Sequence, residues 1–279
     1  MEAPEAGRPA AGADPYRQPT PAVLYVHEDL SDEVRARAGA AGPAAELARA
    51  LIAVLRAQGP RVRLLTLEEQ LAGVLAAGPH PPFALALGIG RAGERVAGLL
   101  HGRAGWFPRV RRLGLTREED GTGGYRLVST GPESLAEQLH GIAGCPSLAV
   151  VDDTVFSGLT MCGVLEALPA GLRERTHAFC LRAVAASLAR VRALCPVTAG
   201  VAAPGRLLED VSFINATGLV LRVAIRRRGE PPRAFFDRPE WLRAWFPEAH
   251  AEVLELCRRL NALLEPAPAS PLPPGETGA

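Results

Sequence analysis

Apolar residues along the chain fall into short runs separated by polar or glycine-rich stretches, and the runs alternate between strand and helix periods. Residues 23–26 form a brief apolar run that predicts a strand. Residues 44–57 carry apolar side chains at helical spacing, and Gly59-Pro60 supplies the stop. A strand follows at 62–65 and a helix at 67–75. Residues 83–87 are a buried-type run ending in Gly88-Ile89-Gly90-Arg91-Ala92-Gly93, with a helix predicted from 94 to 100. Strands are predicted at 110–115 and 125–128, on either side of the polar, glycine-rich stretch 116–124. A helix at 134–140, a strand at 148–151 and a helix at 159–168 come next, and 177–184 and 188–194 continue the alternation. Further on, 219–225 reads as a strand and 248–264 as an amphipathic helix.

Repeated strand-then-helix units imply an α/β fold, an open parallel sheet flanked by helices. Ligands of such sheets bind beyond the carboxyl ends of the strands. Residues 1–21 and 266–279 are rich in Ala, Pro and Gly without periodicity and are expected to be a disordered leader and tail. Between them, 22–196 is expected to be the α/β core and 197–265 a C-terminal extension or hood.

Composition then removes several function classes. The 279 residues have a mean hydropathy of +0.08 and a net charge of +1, so no overall field recruits nucleic acid or a membrane. All 31 basic residues are Arg, which excludes a phosphate-loop lysine and a lysine Schiff base. The five cysteines are irregularly spaced and form no Cys-x-x-Cys pair, so neither a zinc site nor a disulfide framework is signalled. With no basic-then-apolar leader pattern and no run of spanning length, a cytoplasmic location is expected.

The most informative stretch is Leu148-Ala149-Val150-Val151-Asp152-Asp153-Thr154-Val155-Phe156-Ser157-Gly158-Leu159-Thr160. An apolar strand ends in two carboxylates, and a short hydroxyl-rich loop opens a helix. The first turn of a helix offers unpaired N–H groups and a dipole that favours phosphate. Ser157, Gly158 and Thr160 are small enough to wrap an anion, and carboxylates accept hydrogen bonds from sugar hydroxyls. Acceptors beside anion donors suit a ribose 5-phosphate. An ordinary helix N-cap after a strand is the plainer alternative.

This stretch closely resembles the 5-phosphoribosyl-1-pyrophosphate (PRPP) motif of type I phosphoribosyltransferases over all thirteen positions, with Ser157 where Thr is commoner. The resemblance implies that Asp152 and Asp153 meet the ribose hydroxyls and that Thr154, Ser157, Gly158, Leu159 and Thr160 hold the 5-phosphate. It also implies Mg²⁺, which Asp152 and Asp153 would meet only indirectly, through ribose hydroxyls or water.

Upstream, Gly90, Arg91, Ala92 and Gly93 also end a strand and start a helix, and they resemble the pyrophosphate loop of the same family, with Ala92 replacing a frequent Gly. The segment 116–124 stands where that family carries a flexible catalytic loop. Its Gly-x-Gly-Gly ending is similar to the orotate type, but the Lys and His of that type are missing, so orotate is not assigned as acceptor. Arg91, Arg111, Arg112 and Arg117 are the candidates for pyrophosphate charge, with Arg91 and Arg117 foremost.

The C-terminal region concentrates aromatic residues (Phe235, Phe236, Trp241, Trp245, Phe246), which can pack a hood, stack on a ring or form a homodimer seam. The expected function is transfer of the 5-phosphoribosyl group from PRPP to a small-molecule acceptor: a nucleobase, or an amine or hydroxyl of specialised metabolism. The rival is a PRPP-sensing regulator that binds RNA through Arg226-Arg227-Arg228, although nucleic acid is not the expected partner.

Overall fold

The computed structural model describes residues 21–119, 125–225 and 230–265. The expected leader up to residue 20, the tip of the 116–124 loop, the Arg226-Arg227-Arg228 run and the expected tail lie outside them.

In chain order the elements are β1 (Val23–His27), α1 (Leu30–Ala38), α2 (Pro43–Ala57), β2 (Val62–Leu65), α3 (Leu67–Ala76), β3 (Leu85–Ile89), α4 (Gly90–Ala104) and β4 (Val110–Leu113). Then come β5 (Leu115–Glu119), β6 (Tyr125–Ser129), α5 (Leu135–Gln138), β7 (Leu148–Val155), α6 (Leu159–Ala167), α7 (Ala170–Arg173), β8 (Thr176–Val184) and α8 (Ala185–Arg192). The chain closes with β9 (Val197–Ala203), β10 (Val211–Asn215), α9 (Ala216–Val220), α10 (Pro239–Trp245) and α11 (His250–Leu264).

The fold is α/β, as expected, but it holds two parallel sheets rather than one. Five strands pair in the order β4-β3-β7-β8-β9, and three more in the order β10-β1-β2. Leu148, Val150, Leu113 and Cys180 pack on one face of the larger sheet together with Met161, Val164, Leu172 and Leu188 from its helices. Ala149, Val151, Phe179 and Leu181 pack on the other, against Leu71 and Val74 of α3 and Val96 and Leu100 of α4. The smaller sheet shares a separate core with α1, α2, α9, α10 and α11, in which Leu51, Leu55, Trp241 and Leu260 are buried. Tyr25, Leu65, Val211 and Phe213 of the smaller sheet meet Val184 and Ala203 of the larger one in a seam.

The sheets divide the chain differently from the boundary expected after residue 196. β9 is the edge strand of the five-stranded sheet, and β1, at the start of the expected core, pairs with β10. Residues 67–203 therefore build one layered unit, and 22–65 joins 211–265 in the other. A short apolar strand such as β1 needs partners on both edges, and β10 supplies one from far along the chain.

Two of the expected elements differ in type or continuity. Residues 219–225 are not a strand: Leu219 and Val220 end helix α9, and Leu221 follows it, all buried. A short apolar run looks the same for a buried strand and a buried helix, and this one begins where Thr217 N–H and Oγ1 both donate to Asp29, at 2.8 and 2.7 Å. The expected strand 110–115 breaks at Gly114, whose N–H donates to Gln138 Oε1 at 2.7 Å, and β5 turns away to pair antiparallel with β6.

Gly93 shows how closely the layers approach. A Cβ there would stand 2.3 Å from the Val151 carbonyl oxygen, so α4 lies directly on β7 only because residue 93 has no side chain. Gly93→Ala is expected to destabilise the fold by about 1–3 kcal/mol, the usual cost of overpacking, read as a lower urea midpoint with an unchanged slope.

Candidate functional site

Strand β7 is buried through its apolar half and carries Asp152, Asp153 and Thr154 before it ends at Val155, four residues beyond the expected strand. In the parallel register Asp152 stands beside Cys180 and Thr154 beside Arg182. Asp152 Oδ1 accepts from the Asp153 N–H at 2.8 Å, and Thr154 Oγ1 donates to Asp153 Oδ2 at 3.1 Å.

Phe156, Ser157 and Gly158 then turn the chain into α6. Gly158 sits at φ +81°, a conformation that disfavours side chains. Helix α8 fixes this turn from behind: Ser187 Oγ donates to the Phe156 carbonyl at 2.6 Å, and Arg190 Nη1 donates to the Ser157 carbonyl at 3.1 Å. With those carbonyls held away, the N–H groups of the first turn of α6 lack intrahelical partners. Helix α4 starts the same way, at Gly90 with φ +61° and with no side-chain cap.

Both helix ends and the acidic pair open on one cavity of about 800 Å³. Of the residues singled out in the sequence, Gly90, Arg91, Ala92, Arg117, Asp152, Asp153, Thr154, Ser157 and Thr160 line it. Gly93, Gly158 and Leu159 do not: Gly93 is buried where α4 packs on β7, Gly158 is buried at the start of α6, and Leu159 is half-buried. Arg111 is half-buried on β4 away from the cavity, and Arg112 lies 3.6 Å from Glu94. The hairpin of β5 and β6 contributes Thr116, Arg117 and Tyr125.

The remaining wall comes from the smaller sheet and its helices, including Phe213, Ile214, Asn215, Phe235, Trp241 and Trp245. Phe235 and Trp245 meet edge to face at 5.1 Å between ring centroids. Trp245 is 3% exposed, and its indole N–H is buried with no hydrogen-bond partner among the described residues.

Sequence reasoning missed the group behind the acidic pair. Arg182 is 1% exposed. Its Nη2 donates to Asp153 Oδ2 at 2.8 Å and to Asn215 Oδ1 at 2.7 Å, while Nη1 donates to Gln70 Oε1 at 3.1 Å. Gln70 Nε2 in turn donates to the Thr66 carbonyl at 2.9 Å and to His27 Nδ1 at 2.8 Å. Because Gln70 must present its oxygen to Arg182, its amide reaches His27 as a donor, and the His27 proton belongs on Nε2. A lone Arg within the apolar run Phe179-Cys180-Leu181-Arg182-Ala183-Val184 was the available signal, since a buried guanidinium needs acceptors.

This network splits the acidic pair electrostatically. Burial, then the neighbouring Asp153 charge, pushes the Asp152 carboxyl well above the usual carboxylate range, with Arg117 opposing. Burial also pushes Asp153 upward, but Arg182, the Asp152 carboxyl, Thr154 and His27 together bring it below that range. The pair therefore presents one ionised acceptor, Asp153, beside a carboxyl that holds its proton more readily. Burial, followed by the Arg182 charge, lowers His27 to about 4.

No protein-family model matches the chain, and no curated protein matches it. Among solved structures, the chain is similar to a hypothetical protein from Neisseria gonorrhoeae with bound ppGpp, at 17% identity over 52% of this chain and 81% of that one, with a TM-score of 0.37. It is similar to the purine phosphoribosyltransferase of Pyrococcus horikoshii Ot3, at 18% identity over 53% and 90% of the two chains, with a TM-score of 0.34. The orotate phosphoribosyltransferase of Aeropyrum pernix aligns at 18% identity over 48% and 70%, with a TM-score of 0.31.

His27 makes the site sensitive to acid. An unfolded His takes up its proton near pH 6.5, whereas the buried one resists protonation until about pH 4, so stability present above pH 6.5 is lost as pH falls through that window. His27→Asn retains an acceptor for Gln70 and removes the titration. The drop in unfolding free energy between about pH 7 and about pH 4.5 is expected to shrink by about 2–3 kcal/mol in the variant, measured by urea unfolding at both values.

Proposed function

We propose that the cavity binds PRPP and that the chain transfers its 5-phosphoribosyl group to an acceptor, releasing pyrophosphate. One observation carries the reading: an acidic pair and the starts of two helices without side-chain caps open on the same cavity. A pentose with an anion at each end matches that order of donors and acceptors. The turn of Ser157 and Thr160 into α6 takes the 5-phosphate, Asp152 and Asp153 take the ribose hydroxyls, and Gly90, Arg91 and Ala92 with Arg117 take the pyrophosphate.

Magnesium fits this donor set in one way. No group of three or more His, Cys, Asp or Glu side chains is gathered among the described residues, so a protein cage is not on offer. Mg²⁺ keeps waters and phosphate oxygens readily, and Asp152 and Asp153 suit it through water or through the ribose hydroxyls. When bound, it would neutralise pyrophosphate charge.

In the reaction the bond from the anomeric carbon to the pyrophosphate oxygen breaks, the acceptor's nucleophilic atom forms the new bond to that carbon, and the proton it loses passes to the departing pyrophosphate or to solvent. Positive charge develops on the sugar ring, which the fixed Asp153 carboxylate favours, while Arg91 and Arg117 favour the departing anion. The β5–β6 pair lines this end of the cavity through Thr116, Arg117 and Tyr125, where exclusion of water would protect the donor from hydrolysis. The aromatic wall of Phe235, Trp241 and Trp245 gives the acceptor a place to lie, and a nucleobase suits it better than an aliphatic amine or alcohol.

Pyrophosphate release from PRPP and Mg²⁺, screened against nucleobases and small polar acceptors, tests the proposal. Asp152→Asn combined with Asp153→Asn should lower release at least about 100-fold, the scale of losing a preorganised electrostatic contact. Undiminished release by this doubly substituted protein would defeat the assignment of roles. Heat on PRPP binding without release for any acceptor would favour the regulatory reading over transfer.

A further inference from the structure

The Asn215 carboxamide lies on the cavity at the carboxyl end of β10, in the smaller sheet. Its orientation follows from one contact. Arg182 Nη2 can only donate, so the amide atom 2.7 Å away is Oδ1, and Nδ2 points elsewhere. Asn215 Nδ2 makes no hydrogen bond to the protein among the described residues, and it is not sealed in the interior. The same guanidinium nitrogen also holds Asp153 Oδ2 at 2.8 Å. One buried donor atom therefore sets an anionic acceptor and an amide donor side by side, from two different sheets.

We propose that Asn215 is a ligand-binding residue of the sugar site, donating from Nδ2 to an oxygen of the bound phosphoribosyl group, and that Arg182 is the positioning residue that turns Asn215 and Asp153 toward that ligand. The proposal rests on PRPP as the ligand and adds a contact from outside the acidic-pair motif. It makes the smaller sheet a partner in binding the sugar. Arg182 itself does not need to touch the ligand, since Asp153, Asn215 and Gln70 occupy its terminal nitrogens.

Several groups face Asp153 and share its titration. Asp152 and Thr154 lie on its own strand, Arg182 and Cys180 on β8 and His27 on β1, while Arg117 on β5 acts on Asp152. Arg182 is the buried cation among them, so its removal leaves the burial of Asp153 opposed mainly by uncharged partners. The carboxylate should then take up a proton at higher pH, and binding that needs it ionised should fade as the medium is acidified.

Calorimetry of PRPP and Mg²⁺ with the full chain, at about pH 7.5 and about pH 5.5, separates the outcomes. Ionisation of the ligand's own phosphates is common to every variant and cancels when pH ratios are compared. Asn215→Ala should bind about 10-fold more weakly at both values, with the wild-type ratio between them, as expected for one lost hydrogen bond. Arg182→Met should lose affinity and also enlarge the pH ratio about 10-fold. Arg182→Lys, which keeps the charge but not the fork, should keep the ratio and lose affinity, and it serves if the Met variant does not fold.

Wild-type affinity in Asn215→Ala, or a wild-type ratio in folded Arg182→Met, overturns the proposal while leaving PRPP as the ligand. If Arg182→Lys is the variant that folds, wild-type affinity in it does the same. No heat from the wild-type chain removes the ligand class and this inference together.

Discussion

A single buried positive charge organises this molecule. A guanidinium at 1% exposure is costly to bury, and Arg182 offsets that cost at its two terminal nitrogens with acceptors from β7, α3 and β10, while its Nε finds none among the described residues. Those three elements belong to both layered units. The ion pair with Asp153 is therefore a local electrostatic device and also a tie across the seam between the sheets. Asp152 and Asp153 are chemically alike but sit in unlike surroundings, and the difference traces to which of them the guanidinium touches.

The apolar part of the same seam sets the distance over which that tie works. Tyr25 and Phe213 pack with ring centroids 5.0 Å apart and share a buried cluster with Val184 and Ala203 across the junction. Strands β7, β8 and β10 thereby bring their carboxyl ends to one cavity, where parallel α/β sheets commonly bind ligands. The larger sheet supplies the polar end, with two helix starts and the acidic pair. The smaller unit supplies rings and one carboxamide. Each unit alone would leave half of the cavity open.

Much of this was legible from residues alone because it is local. Apolar runs and their stops placed β1, α2, β2, α3, β7, α6 and α11 within a few residues, and the acidic pair with its hydroxyl loop fell at the end of a strand as its pattern implied. The pairing of strands was not legible. β1 and β10 are joined by backbone hydrogen bonds between residues 188 apart, and nothing in either five-residue run names its partner. The domain boundary shifted for that reason. Gln70, His27 and Asn215 are ordinary residues in their own segments and gain meaning only around Arg182, which alone stands out as a charge within an apolar run but whose acceptors come from distant elements. Gly93 was read as an anion-binding glycine, yet its missing side chain serves the contact of α4 with the Val151 carbonyl.

The interleaving of the two units also imposes an order on how the chain can assemble. Residues 67–203 are contiguous and hold a complete sheet with helices on both faces, so they can close as soon as they are made. Strand β1 is synthesised first but has its β10 neighbour only after that whole segment has emerged, a long-range closure of the kind that slows folding. Until then Arg182 lacks its Asn215 acceptor and the aromatic wall does not exist. A nascent or locally opened chain would hold the acidic pair and both helix starts yet lack the opposite wall, so the last strand to arrive also completes the cavity.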